Sequence, residues 1–169
     1  MLSGNDTKIQ KLIRSAEIIA VGTEILMGQI TNTNASFLAG ELSELGIPSY
    51  YQSVVGDNPA RLEKVIKVAL DRSDAVIMTG GLGPTQDDIS MEIAAKALGL
   101  NLKLHDESRK RIEGFFAGIG RPMTPSNLKQ AILPEGCVVL NNNVGTAPGA
   151  LIEKEFYENG KIILKRVIL

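Results

Sequence analysis

Apolar residues follow two kinds of pattern along the chain. Unbroken runs, Ile18-Ile19-Ala20-Val21 and Ala75-Val76-Ile77-Met78, stop at Gly22 and at Thr79-Gly80. Runs of that length without alternation suit strands buried on both faces. Between them, apolar residues recur at helical spacing. Ala35, Leu38, Ala39, Leu42 and Leu45 predict a helix that starts at Asn32 or Thr33 and ends at Gly46 and Pro48. Leu62, Val65, Ile66, Ala69 and Leu70 predict a second, opened by Asn58 as N-cap and Pro59 in the first turn. Pro48 to Val55 is the strand between them. Ile89 to Leu98 reads as a third helix and Asp106 to Ile119 as a fourth, with Ile112, Phe115, Phe116 and Ile119 on one face. Pro125 to Ala131 is a shorter helical piece. Val138-Val139-Leu140, Ala150-Leu151-Ile152 and Ile162-Ile163-Leu164 predict strands, the last two joined as a hairpin through Glu158-Asn159-Gly160.

Strands that alternate with helices predict an α/β fold, a doubly wound and mostly parallel sheet. Residues 16–169 form one domain in this reading. Residues 1–15 are polar, with Ile9, Leu12 and Ile13 on one side, and read as an arm or short helix outside it. Ligands of such sheets bind beyond the carboxyl ends of the strands. Glu24 follows the first strand, Asp57 the second, and Asp87 with Asp88 the third, so four acids are expected along one edge.

The third strand runs into Thr79-Gly80-Gly81-Leu82-Gly83-Pro84-Thr85-Gln86-Asp87-Asp88. Glycine lets another molecule approach the main chain, and successive free N–H groups before a helix form a concavity for an anion such as phosphate. Two aspartates beside a phosphate repel it unless a divalent cation lies between. Gly80, Gly81, Leu82 and Gly83 are therefore candidate phosphate contacts. Asp87 and Asp88 are candidate catalytic and metal groups, Asp57 a metal candidate and Glu24 a weaker one. Acids at a helix start also cap N–H groups, so either aspartate has a structural alternative. Asp57, just before the Asn58 cap, has one too.

Composition narrows the chemistry. Among 169 residues, Lys+Arg number 18 and Asp+Glu 19, which gives no field to attract nucleic acid or an acidic membrane. Tryptophan is absent, which argues against base-stacking platforms. A single cysteine, Cys137, and a single histidine, His105, exclude an internal disulfide and multi-cysteine or two-histidine metal sites. Cys137 reads as a small core residue and His105 as a surface residue near a helix start. Arg109-Lys110-Arg111 reads as a solvated helix face. With no apolar run of membrane length and no secretory signal, a cytoplasmic protein is expected.

Several motifs together resemble a known family. Ala16 to Leu26, Gly28-Gln29-Ile30, Asn32-Thr33-Asn34, Val55-Gly56-Asp57-Asn58 and the Thr79 to Asp88 loop are similar to the molybdopterin-binding-like (MoaB/MogA) superfamily. Leu82, the Asp87-Asp88 pair, Lys129-Gln130-Ala131, Leu133-Pro134-Glu135-Gly136 and Val144 to Gly149 resemble the N-terminal domain of the CinA (competence- and damage-inducible) family. The resemblance implies a three-layer fold and a metal-dependent pyrophosphatase acting on ADP-ribose-like nucleotides, with magnesium or a transition metal. It also raises Asn34 and Thr85 to ligand contacts and implies a homo-oligomer, dimer or trimer; the second glycine-rich loop, with Gly145 and Thr146, is placed to hold the other end of a long ligand. The alternatives are a molybdopterin binder or adenylyltransferase of molybdenum cofactor biosynthesis, and a nucleotide-binding module without catalysis. CinA-type domains continue into a Pro-Gly-Val-Pro loop where this chain reads Lys165-Arg166-Val167-Ile168-Leu169, so a C-terminal truncation and a weakened pocket are expected.

Overall fold

The structure, a computed structural model, describes residues 12–158 and 160–169. In chain order the elements are β1 Ala16–Val21, α1 Thr23–Leu26, α2 Thr33–Glu44, β2 Tyr51–Val55, α3 Pro59–Arg72, β3 Ala75–Thr79 and α4 Ser90–Ala97. Then follow β4 Leu102–Leu104, α5 Asp106–Gly118, α6 Pro125–Leu128 with a 3-10 turn at Lys129–Ala131, β5 Ile132–Pro134, β6 Val138–Leu140, β7 Gly149–Glu158 and β8 Lys161–Ile168.

The main sheet has the order β2-β1-β3-β8-β7-β6. β2, β1, β3 and β8 are parallel, and β7 runs against β8 and β6. The sheet is thus mostly parallel, as the alternating pattern predicts. Every residue of β1 is buried, and period-two alternation sends its side chains to opposite faces. Ile19 and Val21, with Val76 and Met78 of β3, join Leu62, Ile66 and Ile93 of α3 and α4 in one core. Ala16, Ile18 and Ala75 join Ala35 and Leu42 of α2 in the other. Helices on both faces make three layers. Each isoleucine buried this way contributes about 1.5–3 kcal/mol.

The chain leaves β1 toward β2 through α2, then crosses back through α3 to β3 on the other side of β1. The strand order therefore reverses between β1 and β3, and a crevice opens at the carboxyl ends of those two strands. The pairing of β3 with β8 is short: Ala75, Val76 and Ile77 stand opposite Arg166, Val167 and Ile168.

The caps follow the sequence. Asn58 accepts from Arg61 N at 3.0 Å to start α3 with Pro59 in the first turn, Asn32 accepts from Ala35 N at 3.2 Å to start α2, and His105 Nδ1 accepts from Ser108 N at 3.2 Å to start α5. Five elements differ from expectation. The four-residue helix α1 and the small sheet β4–β5 carry too few apolar residues for a periodic signal. The last two strands are longer than their apolar runs because Glu153–Arg166 and neighbouring polar pairs continue the ladder. Glu158 stands opposite Lys161, as the hairpin predicts; Asn159 lies outside the described residues. Of the expected N-terminal arm, residues 1–11 also lie outside them. Lys165 to Ile168, where the family resemblance predicts a departure, belong to β8.

At the amino end of the sheet, Glu17 is a fully buried charge. Arg72 donates to both its oxygens at 2.8 Å, and Ser53 Oγ adds a third hydrogen bond at 3.0 Å. The guanidinium lies 3.7 Å over the Tyr51 ring. This network lies at the opposite end of the strands from the glycine loop.

Candidate functional site

The crevice is built from three strand ends. After β1, Thr23 donates from both N and Oγ to Asp57 Oδ2, at 3.1 and 2.8 Å, which ties the end of β1 to the end of β2. Glu24 folds back beside Gly22, where a Cβ would lie 2.5 Å from Glu24 Oε1. After β3, Thr79 Oγ accepts from Asn34 Nδ2 at 2.9 Å, which brings the start of α2 to the same edge.

The glycine loop is folded on itself. Gly80, at φ +93°, packs so closely on β1 that a Cβ would meet the Val21 carbonyl oxygen at 2.1 Å. Gly81, at φ +65°, would place its Cβ on Ser90 Oγ. Ser90 explains that crowding: its Oγ donates to Gly80 O at 2.7 Å and its N to Gly81 O at 3.1 Å. Among the described residues, the N–H groups of Gly81 and Leu82 reach no protein acceptor. Loop and helix start therefore leave donors for an anion.

The adjacent aspartates differ. Asp88 Oδ2 accepts from Thr85 N at 2.8 Å and from Thr85 Oγ at 2.6 Å. Burial by itself raises the Asp88 carboxyl; hydrogen bonds from Thr85 Oγ, Thr85 N and Gly83 N, with the Lys129 charge nearby, outweigh it and hold it below the usual aspartate value. Asp87 is exposed and accepts no hydrogen bond from the described residues.

Two residues that the motif reasoning used only for family likeness complete the loop's setting. Lys129 Nζ donates to Thr85 O at 2.9 Å. Gln130 Nε2 points to Leu82 O at 3.4 Å, while its Oε1 accepts from Thr146 Oγ at 3.0 Å. Gln130 thereby joins the glycine loop to the second loop. Asn142 shapes that second loop, accepting from Val144 N and Gly145 N, each at 2.9 Å. Arg111 braces it from α5 through Asn142 O and Asn143 Oδ1. Arg111 is thus a strut, whereas Arg109 pairs with Asp106 and Glu113 on its own helix. Lys129 and Gln130 follow Thr124, Ser126 and Asn127 in a polar stretch before β5, so nothing local sets them apart. Cys137 is half-buried, and burial pushes its thiol up.

Of the residues singled out in the sequence, Gly80, Gly81, Leu82, Gly83, Thr85, Asp87 and Asp88 form one loop. Asn34 adjoins it through Thr79, and Thr146, beside Gly145, joins it through Gln130. Asp57 and Glu24 lie around the β1 end. The four acids do not make a preformed cage: among the described residues, no three His, Cys, Asp or Glu side chains form a group able to hold a metal ion. Asp57 and Asp88 each have one oxygen engaged by internal donors. Such a donor set fits a hard cation that brings phosphate oxygens with it, since magnesium is held by one or two carboxylates plus substrate phosphates.

A reversed strand order with a glycine loop at the reversal defines a doubly wound α/β domain. Residues 17–164 match the family described as "Probable molybdopterin binding domain". The CinA-like protein of Dictyoglomus turgidum is 52% identical over 148 residues, covering 88% of this chain and 35% of that protein. A competence-damage inducible protein of Acetivibrio thermocellus is 57% identical over 150 residues, covering 89% of this chain and 35% of that protein. The crystal structure of CinA, of unknown function, from Thermoplasma acidophilum matches at a TM-score of 0.78 and 36% identity, over 91% of this chain and 86% of that one. The chain belongs to the molybdopterin-binding domain family, in its CinA branch. It spans about a third of the length of the curated relatives it matches. A tungsten cofactor synthesizing MoaB from Pyrococcus furiosus, at 16% identity and a TM-score of 0.55 over 93% of this chain and 82% of that one, shares the fold. No helix among the described residues is long and apolar enough to cross a membrane.

Proposed function

We propose that the domain holds a nucleotide by its diphosphate at Gly80 to Gly83 and hydrolyses the diphosphate bond. ADP-ribose-like nucleotides are the substrate class, and magnesium or a transition metal is the cofactor. The observation that supports this most is the division between neighbouring aspartates. Asp88 is engaged in folding the loop, which leaves Asp87 exposed in the same loop as the unbonded N–H groups of Gly81 and Leu82. Those N–H groups orient the diphosphate oxygens. Asp87 accepts the proton of the attacking water. Asp87 and Asp57 would supply carboxylates to a cation that arrives with the diphosphate, and Glu24 remains the weaker candidate. When bound, the ion offsets negative charge on the diphosphate. Asn34 and the Gly145-Thr146 loop position the rest of the ligand, whereas Thr85, expected as a ligand contact, gives both its N–H and its O–H to Asp88 and shapes the loop instead.

A molybdopterin ligand is the second reading. The family's description favours it. The MoaB neighbour is named for cofactor synthesis, but its 16% identity supports the fold alone. A turnover screen over ADP-ribose, other nucleoside diphosphate sugars and molybdopterin separates the two, with and without chelator. Hydrolysis of ADP-ribose that stops in chelator and returns with magnesium is the expected result. Full activity in excess chelator removes the metal. Nucleotide binding without turnover removes the hydrolysis, and pterin binding alone replaces the substrate class.

We also infer a homo-oligomer. Leu26, Met27, Ile30 and Phe37 are 51–67% exposed within twelve residues beside the crevice, and grouped apolar exposure marks interaction surfaces. Light scattering should give a dimer or trimer; a monomer at every concentration would contradict this.

A further inference from the structure

Behind the glycine loop lies an apolar cleft that the phosphate contacts do not use. Leu82, Met91, Leu102, Ile132 and Pro148 form its walls, and it encloses about 110 Å3. Leu82 and Met91 are packed on the core of α3 and α4, so that wall is fixed. Leu102 and Ile132 come from the two strands of the small sheet. Lys129, Gln130, Asp88 and Glu92 stand at its rim. The first three are engaged with the loops. Glu92 is exposed and accepts no hydrogen bond from the described residues.

We propose that this cleft takes a flat heteroaromatic ring joined to the phosphates on the loop, and that Glu92 selects rings bearing an exocyclic amino group. The proposal rests on the phosphate reading of Gly80 to Gly83. The same three residues, Gly81, Leu82 and Gly83, border both places. Their backbone offers donors to an anion while the Leu82 side chain forms a wall, so a ligand held by its phosphate has the cleft within reach. The cleft, about 110 Å3 with an open mouth, is smaller than the cavity of about 150 Å3 that holds benzene, so it admits one edge of a fused ring and leaves the rest at the mouth. Apolar walls with a few convergent polar groups are the usual make-up of a ring site. At that mouth an amino group donates to the Glu92 carboxylate. A ring carbonyl there would set oxygen against oxygen. Adenine satisfies this rule and uracil fails it. A 2-amino pterin also satisfies it, so the ring can come from a nucleotide or a pterin.

The test is calorimetric titration of the full chain with ADP, UDP, neopterin phosphate and inorganic pyrophosphate. The parent is compared with Leu102→Trp, Ile132→Trp and Glu92→Gln, each checked for an unchanged fold by circular dichroism. ADP should bind about tenfold tighter than UDP, the worth of one hydrogen bond to a charged group. Leu102 is partly exposed, so its tryptophan variant fills the cleft without disturbing a core; it should weaken ADP about tenfold and leave pyrophosphate unchanged. Glu92→Gln should bring ADP and UDP together. Neopterin phosphate binding above ADP, and lost in the tryptophan variants, would support the cleft with a pterin as its source. Equal ADP and UDP affinity in the parent, or ADP affinity untouched by both tryptophan variants, overturns the proposal. If pyrophosphate fails to bind while ADP binds and is weakened by cleft filling, the cleft stands and the phosphate reading falls. If no probe binds, both fall.

Discussion

The Asp88 carboxylate takes both hydrogens that Thr85 can give, from its amide at 2.8 Å and its hydroxyl at 2.6 Å. One side chain thus closes a loop of four residues on itself. It also crowds its neighbour: a Cβ on Gly83 would lie 2.5 Å from Asp88 Oδ2, so a side chain there would push the carboxylate out of its place. The two adjacent acids therefore separate into one that shapes the loop and one that faces outward.

That separation is measurable. Asp88→Asn replaces charge-assisted hydrogen bonds and should lower unfolding free energy by about 1–3 kcal/mol. Asp87→Asn should stay within about 0.5 kcal/mol of the parent. In turnover, Asp87→Asn should be slower by about a hundredfold or more, the worth of a positioned general base. Urea unfolding and initial rates on ADP-ribose check both. Equal stability loss in the two variants would contradict the division, and parental rates in both would contradict the chemistry.

Acid should loosen the molecule at two places. Hydrogen bonds from Lys67 and Lys96 hold Glu63 down to about 2 from the ordinary 4.5, joining α3 to α4. Asp88 is also held low, by the balance described above. A depressed folded pKa stabilises in full above the unfolded value and loses that stabilisation as pH falls through the folded one. The urea midpoint should be flat with respect to these groups above pH 4.5 and fall between there and about pH 2. Glu63→Gln should make the fall shallower; an identical pH profile would refute the assignment.

Gly80→Ala should be among the most damaging small substitutions. It forces a side chain into φ +93° and against the Val21 carbonyl oxygen. A cost of about 2–4 kcal/mol is expected from strain plus displacement of β1. Gly99→Ala is the control, since its φ is +64° but a Cβ there meets nothing within 4 Å; it should cost about 1 kcal/mol. A thermal melt ranks the two, and the reverse order would show that the contact with β1 is relaxed.

Arg72→Met should expose the weight of the buried acid at the far end of the sheet. It leaves Glu17 without its bidentate partner, with only Ser53 to bond it. Leaving a buried carboxylate without its charged partner is strongly destabilising, so the melting temperature should fall clearly below the parent's. Ligand affinity should not change in the variant that remains folded. Lost binding at full stability would mean the network reaches the crevice.

The sequence carried the fold wherever burial dictated spacing. β1 and β3 are buried on both faces and read as unbroken apolar runs; α3 is half-buried and reads at helical period. The glycine loop was legible for the same reason: positive φ and close backbone approach leave glycine as the residue that fits. Roles were legible less often. Asp87 and Asp88 are chemically identical in sequence, and only folding reveals that Thr85 curls back to one of them. Gln130 gave no spacing signal, because its partners, Leu82 and Thr146, lie 48 positions before it and 16 after it. Glu17 sits in an apolar run, and the arginine that neutralises it is 55 residues away. Contacts set by tertiary distance leave no local period to read.

The short pairing of β3 with β8 has a mechanical consequence. Five residue pairs join β1 to β3 and eight join β7 to β8, but three join the two groups of strands. The sheet is two plates meeting along a narrow spine. One plate carries the glycine loop after β3. The other carries the Gly145-Thr146 loop between β6 and β7, so the two loops stand on either side of the spine and Gln130 is the clasp over it. A molecule long enough to touch both loops must bridge that line. Its attachment would then do for the protein what a bolt does for a hinge, and the tightest ligand should also be the one that most slows the parting of the plates.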